Sequence, residues 1–120
     1  MEEIALNRID LLALVAVLRL GDEAYGVTIH EEIERAAGRH VSLAGVYSAL
    51  DRLERGGLTR VWHSEPRPER GGRARRHYGL TAAGRTAVRR ERDAAQRIWD
   101  GLSPHLDAGR ASPAPRSRKR

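Results

Sequence analysis

The period of the hydrophobic positions changes along the chain, and each change marks an element. Over residues 3–20, Ile4, Ile9, Leu12, Val15, Val17 and Leu18 are spread around a helix rather than gathered on one stripe. That pattern predicts a helix covered by more than one partner. Gly21-Asp22 breaks it. From about residue 23 to 37, Tyr25, Ile29, Ile33 and Ala36 or Ala37 fall at helical spacing with acids on the outer face, and Gly38 is a natural stop. In "VSLAGVYSALDRLERGGL", Ser42 is a good N-cap, and Val46, Leu50 and Leu53, with Ala49, form the next apolar stripe before Gly56-Gly57. The opposite face of this third helix offers Ser42, Gly45, Tyr47, Ser48, Asp51, Arg52 and Arg55, small at its start and basic toward its end.

The period then drops to two. Leu58–Ser64, rich in Thr, Val and Trp, and Arg75–Leu80, with Tyr78 and Leu80 two residues apart, predict paired strands. Between them lie Pro66, Pro68, Gly71 and Gly72, in a connection too long for a tight turn. Thr81 caps a last helix reaching about Leu102 or Leu106, on which Val88, Ala95, Ile98, Trp99, Leu102 and Leu106 make a sparse stripe among arginines. Such a stripe needs another surface to cover it. From Gly109, "GRASPAPRSRKR" has no periodicity and is predicted to be disordered.

Three helices, a two-stranded hairpin and a long helix predict a mainly α fold with a small β-hairpin: a winged helix-turn-helix plus a C-terminal dimerisation helix. The expected division is residues 1–80 for the DNA-binding domain, 81–106 for the dimerisation helix and 107–120 for a disordered basic tail. In that architecture the third helix enters the major groove of double-stranded DNA, and the hairpin loop reaches the adjacent backbone or minor groove.

Charge sharpens this expectation. Residues 1–64 carry 7 basic and 10 acidic side chains, a net −3; residues 65–76 carry 5 and 2, a net +3. Residues 77–106 are net +2, and residues 107–120 net +4. The positive excess is thus local, as contact with a polyanion at chosen points requires. In "RPERGGRARRHYGLT", residues 67–81, five arginines and one acid surround a Gly-Gly pair. A solvated loop explains the charge alone. The flanking strands make it a wing, with Arg73, Arg75 and Arg76 placed for phosphates. Only Lys119 among the 22 basic residues is a lysine, which suits phosphate recognition but equally follows from GC-rich codons.

Other chemistries find little support. With no cysteine there is no disulfide framework and no thiolate metal site, which suits a reducing cytoplasm. The longest apolar run, Leu11–Leu18, is too short to cross a bilayer, and the acidic "MEE" start does not resemble a signal peptide, so a cytoplasmic protein is expected. His30, His40, His63, His77 and His105 show no H-x-x-x-H or carboxylate pairing that would build a metal site, although His63 and His77 are expected to approach across the wing strands. No metal and no cofactor are predicted. Without a phosphate-cradling glycine loop or a nucleophile elbow, the chain is not expected to be an enzyme.

The segments "YGVTIHEEIE", "SLAGVYSALDRLERGGL", "PERGGRARRHYGLT" and "LTAAGR", in this order and at these spacings, resemble the PadR family of bacterial transcriptional regulators over roughly residues 10–86. The resemblance implies a homodimeric repressor on a pseudo-palindromic operator near its own promoter, with Tyr47 on the phosphate backbone. The family often has Gly-Thr before the apolar residue and Pro after the tyrosine. Here those positions hold Ala44, Gly45 and Ser48, so base preference does not carry over. The expected DNA-binding residues are Ser42, Gly45, Tyr47, Ser48, Arg52, Arg73, Arg75 and Arg76. The expected dimer contacts, from the first and last helices, are Leu12, Val15, Val88, Ala95, Ile98, Trp99 and Leu102. Trp99 fills a dimer seam on the plainer reading; some multidrug-sensing members use such a tryptophan to stack planar ligands. The identity of any small-molecule inducer does not transfer. Two rivals stand beside this reading: a winged-helix protein-interaction module without specific DNA binding, and a nonspecific, chromatin-like binder that uses the basic tail.

Overall fold

The computed structural model of the chain describes residues 6–64 and 75–111. In order these form α1 (Arg8–Leu20), a 3-10 turn (Gly21–Glu23), α2 (Gly26–Ala37), α3 (Leu43–Arg55), β1 (Thr59–His63), β2 (Arg76–Leu80), α4 (Ala82–Trp99) and α5 (Ser103–Ala111). Residues 1–5, 65–74 (Arg73 among them) and 112–120 lie outside the described residues. The chain divides into two compact units, residues 1–88 and 89–120.

In the first unit the buried stripes of the three helices meet. Leu14 from α1, Ile29 and Ile33 from α2, and Val46, Leu50 and Leu53 from α3 are almost fully buried. Burying side chains of this size contributes about 1.5–3 kcal/mol each. Leu58 and Tyr78 close the core from the hairpin. Asn7 caps α1: its side chain accepts from the Asp10 N–H at 2.8 Å, and the Asp10 carboxylate accepts from the Asn7 N–H. This reciprocal capping box begins the helix at Arg8; Ile4, expected within the helix, lies outside the described residues.

The second helix starts three residues later than its periodicity predicts. Tyr25, expected at a helical apolar position, is extended (φ −139°, ψ 172°) and forms a β-bridge with His77. Next to it the Tyr78 N–H donates to the Ala24 carbonyl at 2.9 Å. The Thr28 hydroxyl oxygen accepts from the Tyr25 N–H at 3.1 Å and so stops the helix from beginning earlier. The wing is thereby laced to the turn before α2.

β1 and β2 pair antiparallel, Thr59 opposite Leu80 through His63 opposite Arg76. The caps expected at Ser42 and Thr81 are present: their side-chain oxygens accept from the Gly45 and Gly84 N–H groups at 3.0 Å each. Gly84 is buried, and a Cβ there would run into the Leu58 carbonyl oxygen, so only glycine lets α4 start this close to the hairpin.

In the second unit α4 ends at Trp99 rather than continuing to Leu102 or Leu106. Gly101 adopts the left-handed conformation (φ 71°), and Ser103-Pro104 opens a new helix, with proline in the first turn where its missing N–H costs nothing. This helix continues to Ala111, which shortens the stretch expected to be irregular from residue 107 or 109. Among the described residues no helix is long and apolar enough to cross a membrane.

Candidate nucleic-acid interface

α3 turns Val46, Ala49, Leu50 and Leu53 inward and leaves Ser42, Tyr47, Ser48, Asp51, Arg52 and Arg55 exposed, with Gly45 half-buried at its start. Because Ser42 Oγ accepts from Gly45 N–H, its own O–H stays available as a donor. Tyr47 is 44% exposed, and its ring lies back across Gly26, where any Cβ would collide with the phenol. A small residue at the start of α2 thus sets the direction of a large one on α3.

Arg52 does not project freely from this face. One of its terminal nitrogens donates to Asp10 Oδ1 at 2.7 Å, and that carboxylate is only 5% exposed. The expected DNA contact is therefore first a tether from α3 to α1. Sequence spacing alone cannot show a pairing 42 residues apart.

On the hairpin the period of two separates neighbouring arginines. Arg76 shares a face with buried Tyr78: its Nε donates to the Tyr78 hydroxyl at 3.0 Å and its terminal nitrogen to Glu54 at 2.7 Å. The hydroxyl contact, with Glu54 and Asp51 nearby, holds its pKa above the ordinary arginine value against the opposing effect of burial. Arg76, expected on phosphates, is thus engaged with α3. Arg75 lies on the other face, with its guanidinium 4.3 Å above the centroid of Tyr25 and its backbone N–H donating to Ser64 Oγ at 3.1 Å.

Arg75 and Tyr47 border one depression of about 360 Å³, lined also by Tyr25, Gly26, Val27, Arg76 and Tyr78. The groove joins the start of α2, the exposed face of α3 and the base of the wing. Tyr25 is the residue of this site that sequence reasoning misses, because its apolar spacing mimics a helix position. Behind it, His77 meets Tyr25 edge-on and stacks on Trp62, with ring centroids 5.6 and 5.5 Å apart. His63 pairs with Arg76 instead, so the expected approach of His63 and His77 is not made by cross-strand partners.

The elbow between α2 and α3 holds a cluster that the sequence reading also misses. Glu34 Oε2 accepts from the Val41 N–H at 3.0 Å and lies 2.7 Å from His40 Nδ1 and 3.5 Å from His30 Nε2. The Val41 N–H is the chief reason its pKa falls below the ordinary carboxylate value; burial opposes the shift, and the two imidazoles add to it. His30 Nε2, 2.7 Å from the Val41 carbonyl, must donate there, since a carbonyl only accepts. The His30–Glu34 spacing of four was the available signal. Among the described residues no cluster is arranged to hold a metal ion.

The expected dimer residues are scattered in character. Leu12 and Val88 are partly buried against their own chain's core, because the first turns of α4 pack there, and Val15 is half-buried. Ala95, Ile98 and Trp99 are exposed, and Leu102 is half-buried. Trp99 borders a shallow depression with Asp93, Gln96, Arg97 and Asp100.

Residues 14–90 match the transcriptional regulator PadR-like family. No curated protein matches the chain. Among solved structures, a PadR family transcription regulator from Clostridium difficile R20291 is 24% identical with a TM-score of 0.69, over 83% of this chain and 99% of that one. A PadR-like transcription factor from Bacteroides fragilis is 25% identical with a TM-score of 0.58, over 82% and 92%. Bordetella bronchiseptica BpsR, whose DNA binding is described as regulated by 6-hydroxynicotinic acid, is 20% identical with a TM-score of 0.59, over 92% and 78%.

Proposed function

The chain belongs to the PadR-like family of transcriptional regulators, and from that premise we propose that it is a cytoplasmic repressor that binds a pseudo-palindromic operator as a homodimer. Ser42, Gly45, Tyr47 and Ser48 present the reading surface of α3 to the major groove. Arg75 clamps the neighbouring backbone from the wing, with Arg73 beside it in sequence. Arg52 and Arg76, bound to Asp10 and Glu54, act first by fixing α3 and the wing in place. The second copy covers Ile98, Trp99 and Leu102, and Trp99 fills that seam.

The observation that carries this reading is the shared groove: exposed Tyr47 on α3 and Arg75 on the wing line one depression. A solvated charge run has no reason to meet the exposed face of a helix-turn-helix there. The contact is tested by titrating the protein with duplexes over a salt series and selecting bound fragments from random DNA. If a dimer neutralises about six to eight phosphates, the slope of log K against log salt is about −5 to −7. The selected fragments carry two half-sites related by a dyad, about one helical turn (~34 Å) or a multiple of it apart. A slope near zero with no enriched sequence would favour the protein-interaction module. A steep slope with no enriched sequence would favour the nonspecific binder.

A further inference from the structure

The half-buried face of the hairpin opposite Tyr78 carries an aromatic ladder with an arginine at each end. Arg60 lies 4.6 Å over Trp62, Trp62 stacks on His77 at an interplanar angle of 14°, His77 meets Tyr25 at 71°, and Arg75 covers Tyr25. Three of these residues come from the wing strands, since Arg60, Trp62 and His77 share one face by the register. Tyr25 alone comes from outside the hairpin, and it touches both Arg75 and His77.

Tyr25 is held from several sides. Its N–H donates to Thr28, its carbonyl accepts from the Ile29 N–H at 2.8 Å, and its backbone bridges to His77. Among the described residues, the hairpin holds Arg75 through its backbone: its N–H donates to Ser64 Oγ, and its carbonyl accepts from the Ser64 N–H at 2.9 Å. Beyond that point the side chain is long and flexible, and the tyrosine face is what fixes its head. A guanidinium stacked on a ring uses its flat face and keeps its in-plane N–H donors for another ligand. Arg76, one residue away, spends its donors on Tyr78 and Glu54. Both arginines line the groove, but of the two only Arg76 has its side-chain donors engaged among the described residues, whereas the Arg75 guanidinium meets the Tyr25 ring.

We propose that Tyr25 is the positioning residue of the wing's phosphate contact: it docks the Arg75 guanidinium at the rim of the groove beside Tyr47, so that the clamp is set before DNA arrives. This rests on the DNA-binding reading above. It differs from a merely structural role because it requires the aromatic face, not the hydroxyl and not simply bulk.

The test measures affinity and salt slope on random and selected duplexes for the wild type, Tyr25→Phe, Tyr25→Leu, Arg75→Ala and the Tyr25→Leu/Arg75→Ala pair, with folding checked by circular dichroism. Arg75→Ala should weaken both duplexes alike and make the slope shallower by about two for a dimer, one contact per protomer. Tyr25→Phe should match the wild type, while Tyr25→Leu should reproduce most of the Arg75→Ala loss. Adding Tyr25→Leu to Arg75→Ala should then cost less than about twofold more, because the two act as one unit. Losses that multiply independently, or a Tyr25→Leu slope equal to the wild type, would overturn the assignment. Should Tyr25→Leu not fold, the free wild-type protein decides: Arg75 side-chain protons must be shifted upfield by the Tyr25 ring current and keep that shift in Tyr25→Phe. Ordinary positions would overturn it. A wild-type slope near zero fails the DNA-binding reading itself, and the proposal with it; a normal wild-type slope with independent losses fails the Tyr25 assignment alone.

Discussion

Asp10 is buried, with one carboxylate oxygen on the Asn7 N–H and the other on Arg52. An acid so placed is tolerable because it both caps α1 and meets a guanidinium. Arg52→Ala would leave it with half its partners and cost about 1–3 kcal/mol, as for a buried charged group left unsatisfied. Chemical denaturation should show this loss, and Asp10→Asn/Arg52→Ala should lose less than the two single changes added together. A stability change within about 0.5 kcal/mol would mean the pair is only a surface contact. The same reasoning assigns any weakening of DNA binding by Arg52→Ala partly to a loosened α3. Arg75 and Arg76 make the related point that adjacent residues on a strand have separate fates: one faces Tyr25 and the other Glu54.

At the scale of elements, the elbow before α3 depends on an ionised Glu34. Its lowered pKa reports an interaction made by the charged form in the folded state. The stabilisation is therefore complete above the unfolded-state glutamate value of about 4.3 and is lost as the pH falls through the lower folded value. The Val41 amide proton, which donates to Glu34, should shift in an NMR titration with a midpoint below that of an exposed glutamate, and Glu34→Gln should abolish the titration. A midpoint at or above about 4.3 would contradict the bond. The first three helices, the start of α4, both strands and the caps at Ser42 and Thr81 were legible in the sequence because each is a local pattern of period, cap and glycine; α5 was not. What was not legible depends on contacts across the fold. Tyr25 fits a helical stripe yet pairs with a strand 52 residues later; Arg52 looks like a surface cation yet finds Asp10; α4 stops early because Gly101 takes a left-handed turn that no periodicity announces. The groove itself was only half visible: Tyr47 and Arg75 were identifiable as exposed and basic residues, but their convergence needed the laced wing.

At the scale of the whole molecule, the second unit carries apolar side chains that need a cover. Ile98, Trp99 and Leu106 are 68%, 58% and 53% exposed, large apolar side chains left in water at the end of α4 and on α5. A second copy of the chain suits them, because a two-fold partner offers the same apolar residues in return and because a dyad-related pair of wings matches a palindromic operator. On this argument Ile98→Glu/Leu102→Glu should convert dimer to monomer in light scattering at micromolar concentration while circular dichroism shows the first unit still folded. The monomer should keep its single groove. Its salt slope should fall to about half the wild-type value, since only one protomer's phosphates are neutralised, and its preference for paired half-sites over a single half-site should disappear. A wild-type chain that scatters as a monomer would remove the dimer from the proposal. A double variant that stays dimeric would place the dimer contact elsewhere, away from Ile98 and Leu102.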